Sequence, residues 1–452
     1  MKTIKLLVAA LLIASSAMAQ HRSKDRAATV YVMTTPDGEQ IYEFESPEQL
    51  KRHLKERKEK KEIIMACAAD DHAKCTDQGF QSAMPPLLVL AQKDNKYSFS
   101  VGGFVNLRTS YDFKGIVDNI DFIPYDIPTQ STYANQQQLI MDASTSRIFF
   151  NGVANTRALG QVRIFADMDF RGGDEGSYLP RVRRGYVSFL GLTIGRDVTT
   201  FCDTEAAPTT VDFQGPNAYN FNYATMIRYK YESCNKVFSA AIAAEYPKVY
   251  GTYGSSYSYI PQRIPDIPMY IQFSFGERKD HHIRMAGVVR NMYMHDNSSN
   301  DNETLFGWGT QLSGQIALAR WFKVMFNGVY GAGITQYIQD LTGSGLDFTP
   351  KPNDSTEIQA TPMYAWQAAA QINFTKRTWM SGGYSTVKVE NKNGGYYSDD
   401  EYKCGQYIFG NIFYRVTPRM QVACEYLWGS RENANSVQNY ANRASLMAQY
   451  NF

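Results

Sequence analysis

From about residue 97 onward, the chain alternates long connections with short ones. Long connections centre near residues 124, 175, 211, 257, 300, 348, 396 and 435, and short ones near 157, 191, 234, 278, 320, 376 and 418. The segments between them repeat with period 2, the signature of strands that present one apolar and one polar face. In one such segment Phe306, Trp308, Leu312, Ile316 and Leu318 oppose Gly307, Gly309, Gln311, Ser313 and Gln315. A soluble sandwich has no reason to gather its long loops at one end. A membrane barrel does, because its two rims face different compartments. The expected fold is all-β, a transmembrane antiparallel β-barrel of about sixteen strands running from Phe99–Phe113 to Tyr440–Phe452.

The last stretch fits that expectation. Ala444, Leu446, Ala448, Tyr450 and Phe452 share the lipid parity, and Arg443, Ser445, Gln449 and Asn451 share the lumen parity. The seam is expected where this strand meets Phe99–Phe113. No segment approaches the roughly 18 to 20 continuous apolar residues of a membrane helix. Mean hydropathy is −0.39, yet aromatics make up 13% of the chain. Low hydropathy with many aromatics suits a barrel with a polar lumen and aromatic girdles.

Residues 1–19 read as an export signal: Lys2 and Lys5, an apolar run from Leu6 to Ala14, then Ala17-Met18-Ala19 at a cleavage site. Residues 20–92 read as a small periplasmic extension, and residues 93–452 as the barrel. Within the extension, Thr29–Thr34 and Glu39–Glu45 flank the turn Thr35-Pro36-Asp37-Gly38. A charged helix follows from a Ser46 cap to Glu62, and then a linker over residues 63–92. Cys67 and Cys75 could close one loop disulfide in an oxidising compartment or remain two thiols. Cys202, Cys234, Cys404 and Cys424 lack metal-like spacing.

No catalytic constellation, metal motif, cofactor motif or nucleic-acid motif emerges. The pair His281-His282 falls at a short turn, a solvated position. The informative residues are cations of the lumen parity: Arg108, Arg163, Arg181, Arg183, Arg228, Lys230, Arg284 and Arg290, with Arg147, Lys323, Arg415, Arg431 and Arg443 besides. On the lipid face at mid-depth each would cost roughly 2–4 kcal/mol, so they are forced inward. Lumen acids are fewer, mainly Asp167, Asp169, Glu245 and Glu425. An excess of lumen cations favours small anionic solutes, and guanidinium forks suit carboxylate or phosphate. The long connection Phe201–Asn217 carries apolar anchors and the punctuation Gly215-Pro216. It is expected to fold back and constrict the lumen through Phe201, Asp203, Asp212, Phe213, Gly215 and Pro216.

Here the chain resembles the DcaP-like outer-membrane porin family. The resemblance rests on Gly195-Arg196, Thr200-Phe201, Asp203, Pro208-Thr209, Asp212-Phe213-Gln214-Gly215-Pro216 and Ile227-Arg228-Tyr229. It extends to Pro180–Tyr186, Gly410–Pro418, Glu425–Arg431 and the closing Phe452, and spans most of residues 97–452. It implies a trimeric porin of the outer membrane of a Gram-negative bacterium, seated in lipid and admitting small anions, dicarboxylates among them. The final strand resembles the signal that barrel-insertion machinery reads. The expected function is passive diffusion of small anionic solutes without a cofactor. The alternatives are a phosphate-selective porin and a non-channel barrel serving as adhesin or outer-membrane enzyme.

Overall fold

The computed structural model describes residues 83–452, apart from 93–95, 116–119, 134–135, 175, 277–278, 353 and 391–394, together with two N-terminal strands, Thr29–Thr34 and Gln40–Glu43. The expected export signal, the charged helix from Ser46 to Glu62 and the Cys67–Cys75 pair lie outside the described residues.

Sixteen antiparallel strands form the wall. They are β1 (Tyr97–Lys114), β2 (Arg147–Thr156), β3 (Gly160–Gly172), β4 (Leu179–Phe189), β5 (Leu192–Val198), β6 (Tyr223–Glu232), β7 (Phe238–Glu245) and β8 (Ile267–Phe275). The second half comprises β9 (His281–Asp296), β10 (Asp301–Ala319), β11 (Phe322–Ala332), β12 (Pro362–Asn373), β13 (Thr378–Val389), β14 (Tyr402–Arg415), β15 (Met420–Asn433) and β16 (Gln438–Asn451). Each pairs with the next, and β16 closes on β1 with Asn442–Asn451 opposite Phe104–Lys114. The seam runs to the last residue, where Phe452 N donates to Gly103 O at 3.0 Å and Gly103 N donates to Phe452 O at 3.1 Å. Closure removes the exposed edges that make open sheets associate.

Parity sorts the side chains as the period-2 pattern requires. On β1, Val105, Leu107, Tyr111 and Phe113 are exposed outward, while Asn106, Arg108, Ser110 and Asp112 are buried inward. On β16, Leu446 and Tyr450 are exposed, whereas Arg443, Ser445 and Asn451 are buried. The turns at one rim are tight. At Leu190-Gly191 both residues have positive φ (48° and 82°). A Cβ on Gly191 would lie 2.4 Å from Lys230 O, so glycine is required there.

Three features differ from the sequence expectation. Leu88–Gln92, read as linker, is a strand. It pairs with Ser98–Val101 of β1, along the edge that β16 leaves uncovered, and then with Thr29–Met33. Thr29–Thr34 in turn pairs with Gln40–Glu43 as the expected hairpin. The connections near 300 and 435 are tight turns at residues 297–300 and 434–437, because β9, β10, β15 and β16 extend further than the period-2 runs alone suggested. The lumen is also not uniformly polar. Met325, Val329, Met363, Val387, Tyr407 and Phe413 of β11–β14 are buried in clusters with loop residues Val211, Phe122, Phe201 and Leu341. Those apolar patches receive three inward loops, and their burial offsets the entropy of ordering them.

Candidate permeation pathway

The lumen wall of β2–β6 is built from arginine–aspartate pairs. Arg181 holds Asp169 through Nε at 2.9 Å and Nη2 at 2.6 Å, and Arg183 Nη1 reaches the same carboxylate at 3.0 Å. Asp167 accepts Arg184 Nη2 at 2.7 Å, with Arg147 Nη1 at 3.9 Å. Arg228 pairs with Asp197. Paired guanidinium and carboxylate groups rigidify a wall but largely cancel each other's field.

Arg184 escaped the parity argument. Asp167 faces Arg184 in register and Met168 faces Val182, so Arg183 is the extra residue of a β-bulge. A bulge turns two successive side chains to the same face. The legible signal was the run Arg181-Val-Arg183-Arg184: strict alternation would have left an arginine facing lipid.

The other lumen cations have partners from loops and from neighbouring strands. Arg108 lies 3.7 Å from Asp121 and 3.8 Å from Asp212, and Arg171 binds Asp121 at 2.7 Å. Arg290 lies 3.3 Å from Asp266 and 3.4 Å from Asp347. Arg443 donates to Asp112 at 2.9 Å. Arg284 donates to Gln272 at 2.9 Å and to the Cys202 carbonyl at 2.7 Å. Arg163 is half-buried in the wall of β3, and Lys230 donates to Glu232 at 3.0 Å on the exposed short-turn rim.

The connection after β5 lies across the barrel interior. Glu425 on β15 accepts Val211 N at 2.9 Å and Asp212 N at 2.6 Å. Asp212 accepts the Tyr407 hydroxyl at 3.0 Å, Phe122 N at 3.2 Å and Gly215 N at 3.1 Å. Gly215 has φ 75°, and the Pro216 carbonyl accepts Tyr219 N at 3.1 Å, so this pair turns the loop upon itself. Phe213 lies 5.0 Å from both the Arg171 and Arg183 guanidinium carbons, a cation–π bridge from loop to wall. Phe201 is fully buried against Tyr337 of the connection after β11.

Asp203 anchors the same loop on the opposite wall. It accepts Ser313 Oγ at 2.7 Å and meets His282 Nε2 at 2.8 Å, with Arg284 at 3.8 Å. Burial would raise its pKa, but the Arg284 charge and the His282 contact outweigh burial and hold this carboxyl well below the usual carboxylate range. His282 is therefore buried, not solvated, because the loop descends onto it. In the connection after β11, Asp340 accepts Tyr402 Oη at 2.6 Å and Tyr125 N at 3.0 Å. Burial pushes its carboxyl up to about 6, with the Tyr402 hydrogen bond acting against the rise.

At the short-turn rim the chemistry changes. A cavity of about 580 Å³ is lined by Arg320, Lys323, Lys376 and Arg415, with Thr209, Gln371, Asn373 and Trp379. Among the described residues, no group of three or more His, Cys, Asp or Glu could hold a metal ion.

A closed barrel with inward-folded loops defines a class of outer-membrane β-barrels built as porins are. The chain belongs to the DcaP outer membrane protein family, whose model matches residues 90–452. The outer-membrane channel DcaP of Acinetobacter baumannii is similar in fold, with a TM-score of 0.68 at 18% identity over 79% of this chain and 97% of that one. The loop L8 deletion mutant of OmpT from Vibrio cholerae matches with a TM-score of 0.52 at 12% identity, over 79% and 100% of the two chains. OmpF of Salmonella typhi matches with a TM-score of 0.51 at 12% identity, over 79% and 99%. No curated protein matches the chain by sequence.

Proposed function

We propose that this barrel is a passive diffusion channel of the outer membrane that favours small anionic solutes such as carboxylates. The observation that carries this reading is the charge of the short-turn rim, where Arg320, Lys323, Lys376 and Arg415 line one cavity with no carboxylate among its lining residues. A low-dielectric wall focuses such a field on solutes passing the rim. The paired arginines of β2–β6 contribute a polar wall and less field. The short-turn rim, where the N-terminal strand docks, faces the periplasm in this reading, and the family resemblance implies a homotrimer. Diffusion through the lumen requires no cofactor and no catalytic group.

Reversal potential across a planar bilayer under a potassium chloride gradient tests the reading. A potential on the chloride side supports it, and one on the potassium side overturns the anion preference while leaving a channel. The absence of any current from folded protein overturns the channel. Native mass measurement of detergent-solubilised protein tests the trimer.

A further inference from the structure

Two adjoining cavities at the short-turn rim, of about 430 and 580 Å³, share Arg320, Lys323 and Asn373. We propose that the larger is a binding site for a small oxyanion that also carries a hydroxyl, of the hydrogen phosphate type, held by Lys323 and Arg415 from two sides. The proposal rests on the channel reading and gives it a saturable site.

The site is built on the wall and not on loops alone. Lys323, Gln371, Trp379 and Arg415 belong to the consecutive strands β11, β12, β13 and β14, and all line the cavity. Lys323 is level in register with Gln371, Ser381 and Asn411, and Arg415 lies four residues further along β14. The two cations therefore stand three strands apart with roughly 20 Å between backbones, and approach the cavity from its two ends through long side chains. Gln371 is paired in register with Lys323 and lies between them. Trp379 stacks on Phe413 with 5° between the rings and backs the Arg415 guanidinium at 5.3 Å. That backing fixes the guanidinium plane and leaves its edge for an anion. Thr209 of the loop that crosses the lumen also lines the cavity, so a solute leaving the loop meets it directly.

Two observations define the ligand. Among the described residues, no carboxylate lies within ion-pair distance of Lys323, Arg415, Arg320 or Lys376, in contrast to the arginines of β2–β6. Lys323 instead donates to Gln315 Oε1 at 3.2 Å. Gln371 is the second indicator. Its Nε2 donates to Asn373 Oδ1 at 2.8 Å, while its Oε1 is buried without a hydrogen-bond partner. A buried acceptor left unmatched is costly and is satisfied by a donor. The cations call for anionic oxygens and Gln371 calls for an O–H. Hydrogen phosphate offers both, whereas sulfate at neutral pH offers only the first. The inward parity of these side chains exposes the site to solutes in the lumen and not to lipid.

The test measures current through single channels in potassium chloride as inorganic phosphate or sulfate is added at pH 7. The expected result is a saturable block by phosphate at concentrations where sulfate blocks weakly. Lys323→Gln and Arg415→Gln should each raise the half-blocking phosphate concentration about tenfold, the loss expected for one charge-assisted hydrogen bond. Gln371→Leu should remove the preference for phosphate over sulfate while chloride current persists. Heat-modifiable mobility in gels confirms that each variant folds. Chloride current without any phosphate block overturns the site and leaves the channel reading intact. Equal block by sulfate and phosphate overturns the assigned hydroxyl chemistry. Loss of all current from wild-type protein overturns the channel reading itself.

Discussion

The wall of β2–β6 and the rim at β11–β14 carry the same kind of residue on the same parity, yet use it oppositely. In the first, Arg184 and Asp167 are nearly sealed from solvent (side chains 8% and 0% exposed), and the charges cancel within the wall. In the second, Lys323 and Arg415 have amide, aromatic and hydroxyl neighbours, and no carboxylate lines their cavity. A cation on the lumen face therefore says little by itself. Its role depends on whether an acid has been folded against it.

The comparison can be broken most forcefully at Asp167. Asp167→Ala leaves Arg184 and Arg147 buried without their carboxylate, and should cost about 3–5 kcal/mol, the range for breaking a buried ion pair. Thermal unfolding in detergent micelles measures this, and an unchanged melting point would show that the pairs do not hold the wall. Asp203→Asn should be milder, about 1–3 kcal/mol for one weakened charged anchor. Hydrogen exchange over Thr204–Ala206 should speed up, while exchange in β2–β4 stays as in wild type.

Acid separates the two loop carboxyls. Asp203 is held low in the folded state, so its contribution to stability is fully present above about pH 4, the ordinary carboxyl value, and fades only as pH falls below it. Asp340 has the opposite sign: with its folded value near 6, the folded state binds the proton more tightly than the unfolded chain. Its destabilising burial is thus relieved as pH falls from about 6 to 4. Reversal potentials should shift toward chloride between pH 7 and 5 as this lumen charge is removed, and Asp340→Asn should reduce the shift, leaving the share of Asp212, which burial also raises to about 6.

The smallest effect on stability is expected at the rim. Lys323→Gln with Arg415→Gln should change it by about 1 kcal/mol or less, because both side chains are only half-buried and neither leaves an ion-pair partner stranded among the described residues. The same pair should move the reversal potential toward potassium further than Arg181→Gln does, because Arg181 is already committed to Asp169. If Arg181→Gln has the larger effect, the wall and not the rim sets the selectivity.

The barrel was legible because lipid imposes a rule on every second residue. Leu446 and Tyr450 point outward because polar groups there would be costly, and a period of 2 records that cost along the chain. The seam of β16 on β1 followed from the same pattern. The loop after β5 was legible in part, through its apolar anchors and Gly215-Pro216. The apolar lumen patches on β11–β14 were not, because an inward Tyr407 or Phe413 makes sense only once Phe122 or Val211 lies against it. Leu88–Gln92 read as linker because a short apolar run does not reveal which edge it will cover.

The sequence by itself determined the closed barrel and the alternation of its strand faces, since membrane partition acts residue by residue. Only the tertiary structure decided which cations are cancelled. Asp121 and Asp212 reach Arg108, and Asp347 reaches Arg290, from loops distant along the chain, while one bulge adds Arg184 to the lumen. Electrostatic pairing depends on separations of a few ångströms in space, and chain order does not encode them.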